Sequence, residues 1–323
     1  MERLDHFMAR ANAAYYATRD PFADFTTSPE ISQVFGEVLG LWAAVVWGLL
    51  GSPASIVLAE AGPGRGTLLA DALRAIGQAA PDFRAALTVH LVETSPRLRA
   101  VQAAAIGDAI WHDTLDALPE GPTILFANEF LDALPIRQFV RRGGAWTERF
   151  VGPDGFLEMA ATDGPGIAAG EGEIVERGEV AEAVTAALAR RFSRAPGAAL
   201  FLDYGPEVSG PGESLQAIAG GKPADPLGPA GTADLTAHVD FARLARVARA
   251  EGAAVSGPVA QGLFLARLGL FQRTNRLARS QTPEKAMALM DGARRLGEPD
   301  RMGRLFKVLA MGSPGMAEVP GFE

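Results

Sequence analysis

The feature that most constrains this sequence is a glycine-rich turn, Glu60-Ala61-Gly62-Pro63-Gly64-Arg65-Gly66, set between an apolar run and a helical one. Ser55 to Ala59 reads as a short strand, and Thr67 to Ile76 as a helix. Glycines at alternate positions let the backbone turn sharply and leave bare main chain against which a ligand can lie. Further apolar runs follow at Leu87–Val92, Ala109–Trp111, Thr123–Ala127 and Ala198–Leu202. Short strands apolar on both faces and separated by helices predict an α/β fold, its sheet covered on both sides.

Composition narrows the chemistry. The 323 residues are 48% hydrophobic and 21% charged, enough apolar content for a sizeable core. A net charge of −8 argues against a general binder of nucleic acid or anionic membrane, since both need a positive field. The absence of cysteine excludes disulfides, thiolate metal sites and thiol nucleophiles. His6, His90, His112 and His238 lack paired spacing, so no metal site is expected. The longest apolar run, Val38 to Gly51, falls short of the roughly 18–20 residues that span a bilayer. With no apolar leader visible, the chain reads as cytoplasmic, without an integral membrane segment.

Residues 1–52 read as an N-terminal helical cap or lid, and 53–323 as the core. His6 to Tyr16 is one predicted helix, broken at Asp20-Pro21. A second is predicted from a Ser28 cap, with Pro29 and Glu30 in its first turn, to about Leu50. Phe35, Leu39, Trp42 and Trp47 recur at helical spacing and read as core. Insertions are expected at about 136–160 (hairpins turning at Gly143-Gly144 and Pro153-Asp154-Gly155), at 205–235 (a Gly/Pro-rich loop) and at 262–300 (helical). A last strand is expected over Leu305–Met311.

Glu60, two positions before the first glycine, would repel a dinucleotide pyrophosphate but can hold an ammonium group. Thr67 stands where the dinucleotide fingerprint has its third glycine, which disfavours a nicotinamide-linked oxidoreductase. The segment resembles the E/D-x-G-x-G-x-G motif of class I S-adenosylmethionine-dependent methyltransferases. That resemblance implies that the turn cradles the methionine portion and that an acid ending the second strand, here Glu93, holds the ribose hydroxyls. Glu93 lies further from the turn than the roughly 20 residues of dinucleotide folds, with Gly77 to Arg84 as the extra loop. His112 and Asp113, just past the third strand, either contact the adenine edge or form an ordinary turn. After the fourth strand come Asn128-Glu129-Phe130-Leu131-Asp132. Its two carboxylates suit a guanidinium, which needs its positive charge localised before a nitrogen can attack a methyl. The loop is similar to the glutamate-bearing loop of protein arginine methyltransferases. The alternative is that Glu129 caps a following helix and Asp132 is a surface residue.

Several segments together resemble one family over nearly the whole chain. They are Asp20-Pro21-Phe22, Asp24-Phe25-Thr26-Thr27-Ser28-Pro29-Glu30-Ile31, the glycine turn, Asn128–Pro135, Leu202-Asp203-Tyr204-Gly205, Asp234–Phe241 and Gly262–Gly269. This is the MidA family of S-adenosyl-L-methionine-dependent methyltransferases, related to the mitochondrial complex I assembly arginine methyltransferase. The resemblance implies a Rossmann-like mixed sheet with helices on both faces, plus an N-terminal helical cap and inserted hairpin and helical elements. It implies cofactor contacts from Glu60, Gly62, Gly64, Gly66, Glu93 and Asn128, with Asp24, Thr26, Ser28, Glu30 and Gln33 as a lid. It also implies Glu129 toward the acceptor, with Asp132 as the loop's second carboxylate, and a protein substrate such as a complex I peripheral-arm subunit; a homodimer is a further expectation. Relatives carry a longer, Gly-containing spacer where only Ala23 stands here. Two other readings remain open: a cofactor-binding assembly factor without turnover, and methylation of a small molecule.

Overall fold

A computed structural model describes residues 1–19 and 26–323; the expectations placed on Asp20, Pro21, Phe22, Ala23, Asp24 and Phe25 lie outside the described residues. The chain divides into two compact units, one of residues 26–129, 186–204 and 245–323, the other of residues 1–25, 130–185 and 205–244. This division differs from the boundary read near residue 52, because the segment from Thr26 to Leu49 goes with the core.

The larger unit begins with helices α1 (Ser28–Ile31) and α2 (Gln33–Leu49). Strand β1 (Ile56–Ala61), helices α3 (Thr67–Ala79) and α4 (Pro81–Ala86), β2 (Leu87–Val92), α5 (Pro96–Ile106), β3 (Ile110–His112) and β4 (Thr123–Asn128) follow. It is completed by β5 (Gly197–Tyr204), β6 (Ala254–Ala260), α6 (Gln261–Arg267), α7 (Leu270–Ala278), α8 (Pro283–Gly297) and β7 (Phe306–Gly312). The seven strands form one mixed sheet in the order β6-β7-β5-β4-β1-β2-β3. β1 to β5 run parallel, and β7 pairs antiparallel with both β5 and β6. Every residue of β1 and β4 is buried, as expected for central strands covered on both faces. The core around them gathers Leu58, Phe126 and Leu200 from the sheet with Phe35, Leu39 and Trp42 from α2.

Three details depart from expectation. The helix foreseen from Ser28 to Leu50 breaks at Ser32, whose backbone is extended and whose hydroxyl accepts the Val34 N–H at 3.3 Å. Ser28 therefore lies inside α1 and does not cap it; Thr27 is the capping residue. The foreseen loop Gly77–Arg84 is the end of α3 plus α4. Strand β6 was not foreseen; it is only half-buried and its register shifts between Ser256 and Val259.

Helix α2 lies against α3 closely enough that two glycines are needed. A Cβ on Gly36 would stand 2.7 Å from Asp71 Cβ, and one on Gly40 would stand 2.7 Å from Ala72 Cα. Around this crossing, Glu37 is buried and accepts from Arg74 at 2.7 Å, Arg273 at 2.6 Å and Gln33 at 3.0 Å. These partners lower its pKa against the desolvation that would raise it.

In the smaller unit, hairpin strands at Arg137–Arg142, Ala145–Gly152 and Gly155–Ala160 match the expected turns and join Glu2–Arg3 and Ile174–Arg177 in an antiparallel sheet. The region expected as a long loop at 205–235 contains a small sheet of Gln216–Ala219, Lys222–Ala224 and Asp234–Thr236. Helix Leu4–Thr18 is fixed by Asn12, whose amide donates to the carbonyls of Ala133 (2.9 Å) and Leu235 (2.8 Å) and accepts the Leu235 N–H (3.0 Å). Arg137 is a buried guanidinium paired with Glu148 (2.7 Å), Asp163 (2.8 Å) and Glu179 (2.9 Å). No helix among the described residues is long and apolar enough to cross a membrane.

Alanine normally favours a helix over glycine by about 1 kcal/mol. At Gly40 the new methyl must displace backbone, an overpacking cost of about 1–3 kcal/mol that outweighs the gain. Gly40→Ala should therefore lower the thermal unfolding midpoint, whereas Gly48→Ala, on the same helix with open space beside it, should raise it.

Candidate active site

The carboxyl ends of the parallel strands hold the chemistry-bearing residues. At the end of β1, Gly62, Gly64 and Gly66 have φ of 63°, 55° and 82°, a left-handed region that suits glycine. Gly62 N–H donates to Val92 O at 3.0 Å, tying the turn to β2, and Gly66 N–H closes onto Pro63 O at 2.7 Å. Thr67, opening α3, donates its hydroxyl to Glu30 of α1, and Arg65 Nη1 lies 4.0 Å from the same carboxylate. Glu30 is thereby brought to the turn, while Thr26 is exposed.

Glu60 is fully buried and its Oε2 has no hydrogen-bond partner among the described residues. Burial pushes its pKa up to about 8. Glu93, one residue past β2, is buried as well; its Oε1 accepts the Ser95 N–H at 2.8 Å and its Oε2 the Gln102 amide at 3.2 Å. Desolvation raises its pKa and these hydrogen bonds oppose the rise. Arg99 joins Glu93 and Asp113, donating to the Glu93 carbonyl at 2.7 Å and to Asp113 Oδ1 at 2.6 Å. His112 instead meets His90, Nε2 to Nδ1 at 2.8 Å with the rings stacked.

At the end of β4, Glu129 adopts φ 49° and is half-buried. Its N–H donates to Leu202 O at 2.9 Å, and its Oε1 accepts the Ser28 N–H at 2.7 Å. Asn128 Nδ2 lies 3.4 Å from that same oxygen. Desolvation raises the Glu129 pKa, opposed by Ser28, Asn128 and the charge of Arg295. No helix begins after Glu129, so a capping role is excluded. Asp132 belongs to the smaller unit and is buried, not on the surface; its carbonyl accepts the Ala237 N–H at 3.0 Å.

One site residue escaped the sequence reading. Gln102, fully buried on α5, donates to Gly64 O at 2.8 Å as well as to Glu93 and accepts Trp111 Nε1–H at 2.8 Å. Its only signal was a lone Gln in an Ala-rich helix, which reads as surface.

A carboxylate oxygen buried without a partner fits an ammonium group, and left-handed glycines fit a chain laid against main chain. The Glu93 carboxylate, with about four acceptor sites, takes donors from Ser95, Gln102 and the Thr94 backbone and keeps capacity for a hydroxyl of a vicinal diol. These residues fit S-adenosyl-L-methionine. No group of three or more acids and histidines able to hold a metal occurs among the described residues.

Comparisons with known proteins agree. A family model described as "Putative S-adenosyl-L-methionine-dependent methyltransferase" matches residues 38–259. The protein arginine methyltransferase NDUFAF7 homolog of Drosophila melanogaster, a mitochondrial protein, is 33% identical, covering 96% of this chain and 80% of that one. The human mitochondrial protein of that name is 32% identical, covering 96% and 79%. A crystal structure of a COG1565 superfamily protein from Burkholderia thailandensis, 26% identical, superposes with a TM-score of 0.82 over 99% of this chain and 89% of that one. A second such structure, 23% identical with a TM-score of 0.79 over 99% and 89%, has S-adenosyl-homocysteine bound and shares the fold.

Because the folded Glu60 titrates near 8 instead of 4.5, the native state holds the extra proton between those values, and ligand-free stability falls as pH rises through that window. A cation at Oε2 reverses the shift. Binding of S-adenosyl-homocysteine at pH 7 should therefore release up to about one proton, measured calorimetrically in buffers of differing ionisation enthalpy. Glu60→Gln should abolish that release.

Proposed function

The chain belongs to this family of S-adenosyl-L-methionine-dependent methyltransferases, and we propose that its methyl acceptor is an arginine side chain of a protein. The observation that carries the reading is Glu129, a half-buried carboxylate held in a left-handed backbone conformation at the end of β4. Residues in sparsely populated conformations persist where the surroundings over-determine them, and they concentrate at functional sites. The names of the two relatives support the choice of arginine.

In this reading Glu60 holds the cofactor's ammonium, the turn at Gly62, Gly64 and Gly66 its methionine chain, and Glu93 its ribose, with Asn128, His112 and Asp113 nearby. Thr26, Ser28 and Glu30 border the site. When bound, S-adenosyl-L-methionine supplies a methyl already activated on a sulfonium. The protein's task is positioning. Ser28 fixes one oxygen of Glu129, so the carboxylate plane is set before an acceptor arrives. Glu129 then localises the guanidinium charge on two nitrogens and leaves the third nitrogen's electrons available. A proton must leave the methylated nitrogen, and a carboxylate whose pKa burial has raised is suited to take it. The family resemblance makes a complex I peripheral-arm subunit the first substrate to try.

Glu129→Gln should slow labelled-methyl transfer to that subunit by roughly 10²-fold or more while leaving S-adenosyl-homocysteine affinity nearly unchanged. Wild-type transfer should also fall as pH drops through the raised Glu129 value, because only the carboxylate pairs with the acceptor. Equal turnover by the variant sinks the assignment. Cofactor binding with no transfer to any arginine points to an assembly factor.

A further inference from the structure

Gln102, absent from the sequence reading, is held at the candidate site by three hydrogen bonds. It is fully buried on α5, the helix that abuts the glycine turn: a Cβ placed on Gly66 would stand 3.5 Å from Gln102 Cα. Its amide has two N–H donors and one oxygen, and all three are engaged. Nε2 donates to Gly64 O at 2.8 Å and to Glu93 Oε2 at 3.2 Å. The oxygen accepts from Trp111 Nε1 at 2.8 Å. An indole nitrogen can only donate, so Trp111 dictates which way the amide faces. The flipped amide would set its oxygen against the carboxylate of Glu93 and the carbonyl of Gly64.

We propose that Gln102 is a positioning residue for the cofactor: it sets the Glu93 carboxylate at a fixed distance from the glycine turn, with Trp111 as the group that orients it. The inference rests on the cofactor reading above and adds to it a route by which ribose recognition is built. Ser95 N–H holds one Glu93 oxygen and Gln102 the other, with the Thr94 backbone as a further donor, so the carboxylate is fixed in place. With about four acceptor sites and these donors, the carboxylate keeps capacity for a hydroxyl from outside. The two hydroxyls of a ribose are thus met by a carboxylate already in place, and little ordering is left for the binding step. Gly64 O, held by the same amide, fixes the turn against the acid.

The test is calorimetric and needs no methyl transfer. S-adenosyl-homocysteine and its 2′-deoxy analogue are titrated into the wild type, Gln102→Leu and Trp111→Phe, with thermal unfolding as a check on folding. The wild type should prefer the ribose ligand by on the order of tenfold, the effect of one lost hydrogen bond to a charged group. Gln102→Leu should weaken S-adenosyl-homocysteine by a similar factor and bring the preference close to one, because the deoxy analogue loses less. Trp111→Phe, which keeps the amide but frees its orientation, should show an intermediate preference, and it decides the matter if Gln102→Leu does not fold. A preference retained in both variants overturns the inference, even where both ligands weaken alike, since that is the mark of a merely structural residue. A wild type that binds neither ligand overturns the cofactor reading and this inference with it.

Discussion

The larger unit is organised by a backbone that turns left-handed at Gly62, Gly64 and Gly66 within five residues. This turn takes the chain from a fully buried strand into α3 without a side chain in the way. Its first N–H is fixed to Val92 O, the last residue of β2, so the acid at position 93 is placed by the same hydrogen bond that closes the turn. The parallel sheet supplies the rest. Strands β1, β2 and β4 run in the same direction, so Glu60, Glu93 and Glu129 all fall at the carboxyl ends of their strands, where open α/β sheets bind ligands.

A comparison within this unit separates two kinds of buried acid. Glu37 is as deeply buried as any, yet two arginines and a glutamine surround it and its pKa is lowered. It fastens α2 to α3 and α7, and nothing further is asked of it. Glu60, Glu93 and Glu129 have raised values because desolvation outweighs their hydrogen bonds. In the proposed function, carboxylates so placed receive a cation or a hydroxyl from outside the chain. Such displaced titrations accompany functional sites; Asp71 on α3 is raised as well, so it is the strand-end geometry that sets these three apart.

Much of this was legible in the sequence, for local reasons. The strands β1, β2, β4 and β5 are continuous apolar runs, and the turn and its two flanking acids are neighbours of those runs. What was hidden depends on partners distant in sequence. Strand β6 contains Gly257-Pro258 and is only half-buried, so neither alternation nor an apolar run marks it; it is a strand because β7 pairs with it. The break at Ser32 leaves no trace, since Ile31-Ser32-Gln33 continues a helical pattern. Gly36 and Gly40 look like weak points of a helix until α3 is seen against them. Gln102 has the same difficulty: its three partners lie in the turn, after β2 and in β3, none of them close enough in sequence to suggest a contact. The small sheet within 205–235 is likewise masked by Gly and Pro, which mark turns but not what they connect.

The φ of 49° at Glu129 has a consequence for how this protein responds to selection. Left-handed backbone is least costly for glycine, then asparagine, and glutamate gains nothing from it. At this position the residue that the local backbone favours differs from the one that the proposed acceptor role calls for. A lineage selected only for heat resistance would drift toward Gly or Asn here and would keep its sheet, its turn and its affinity for cofactor. On the role proposed for Glu129, the accompanying loss of methyl transfer would be invisible to any assay of folding.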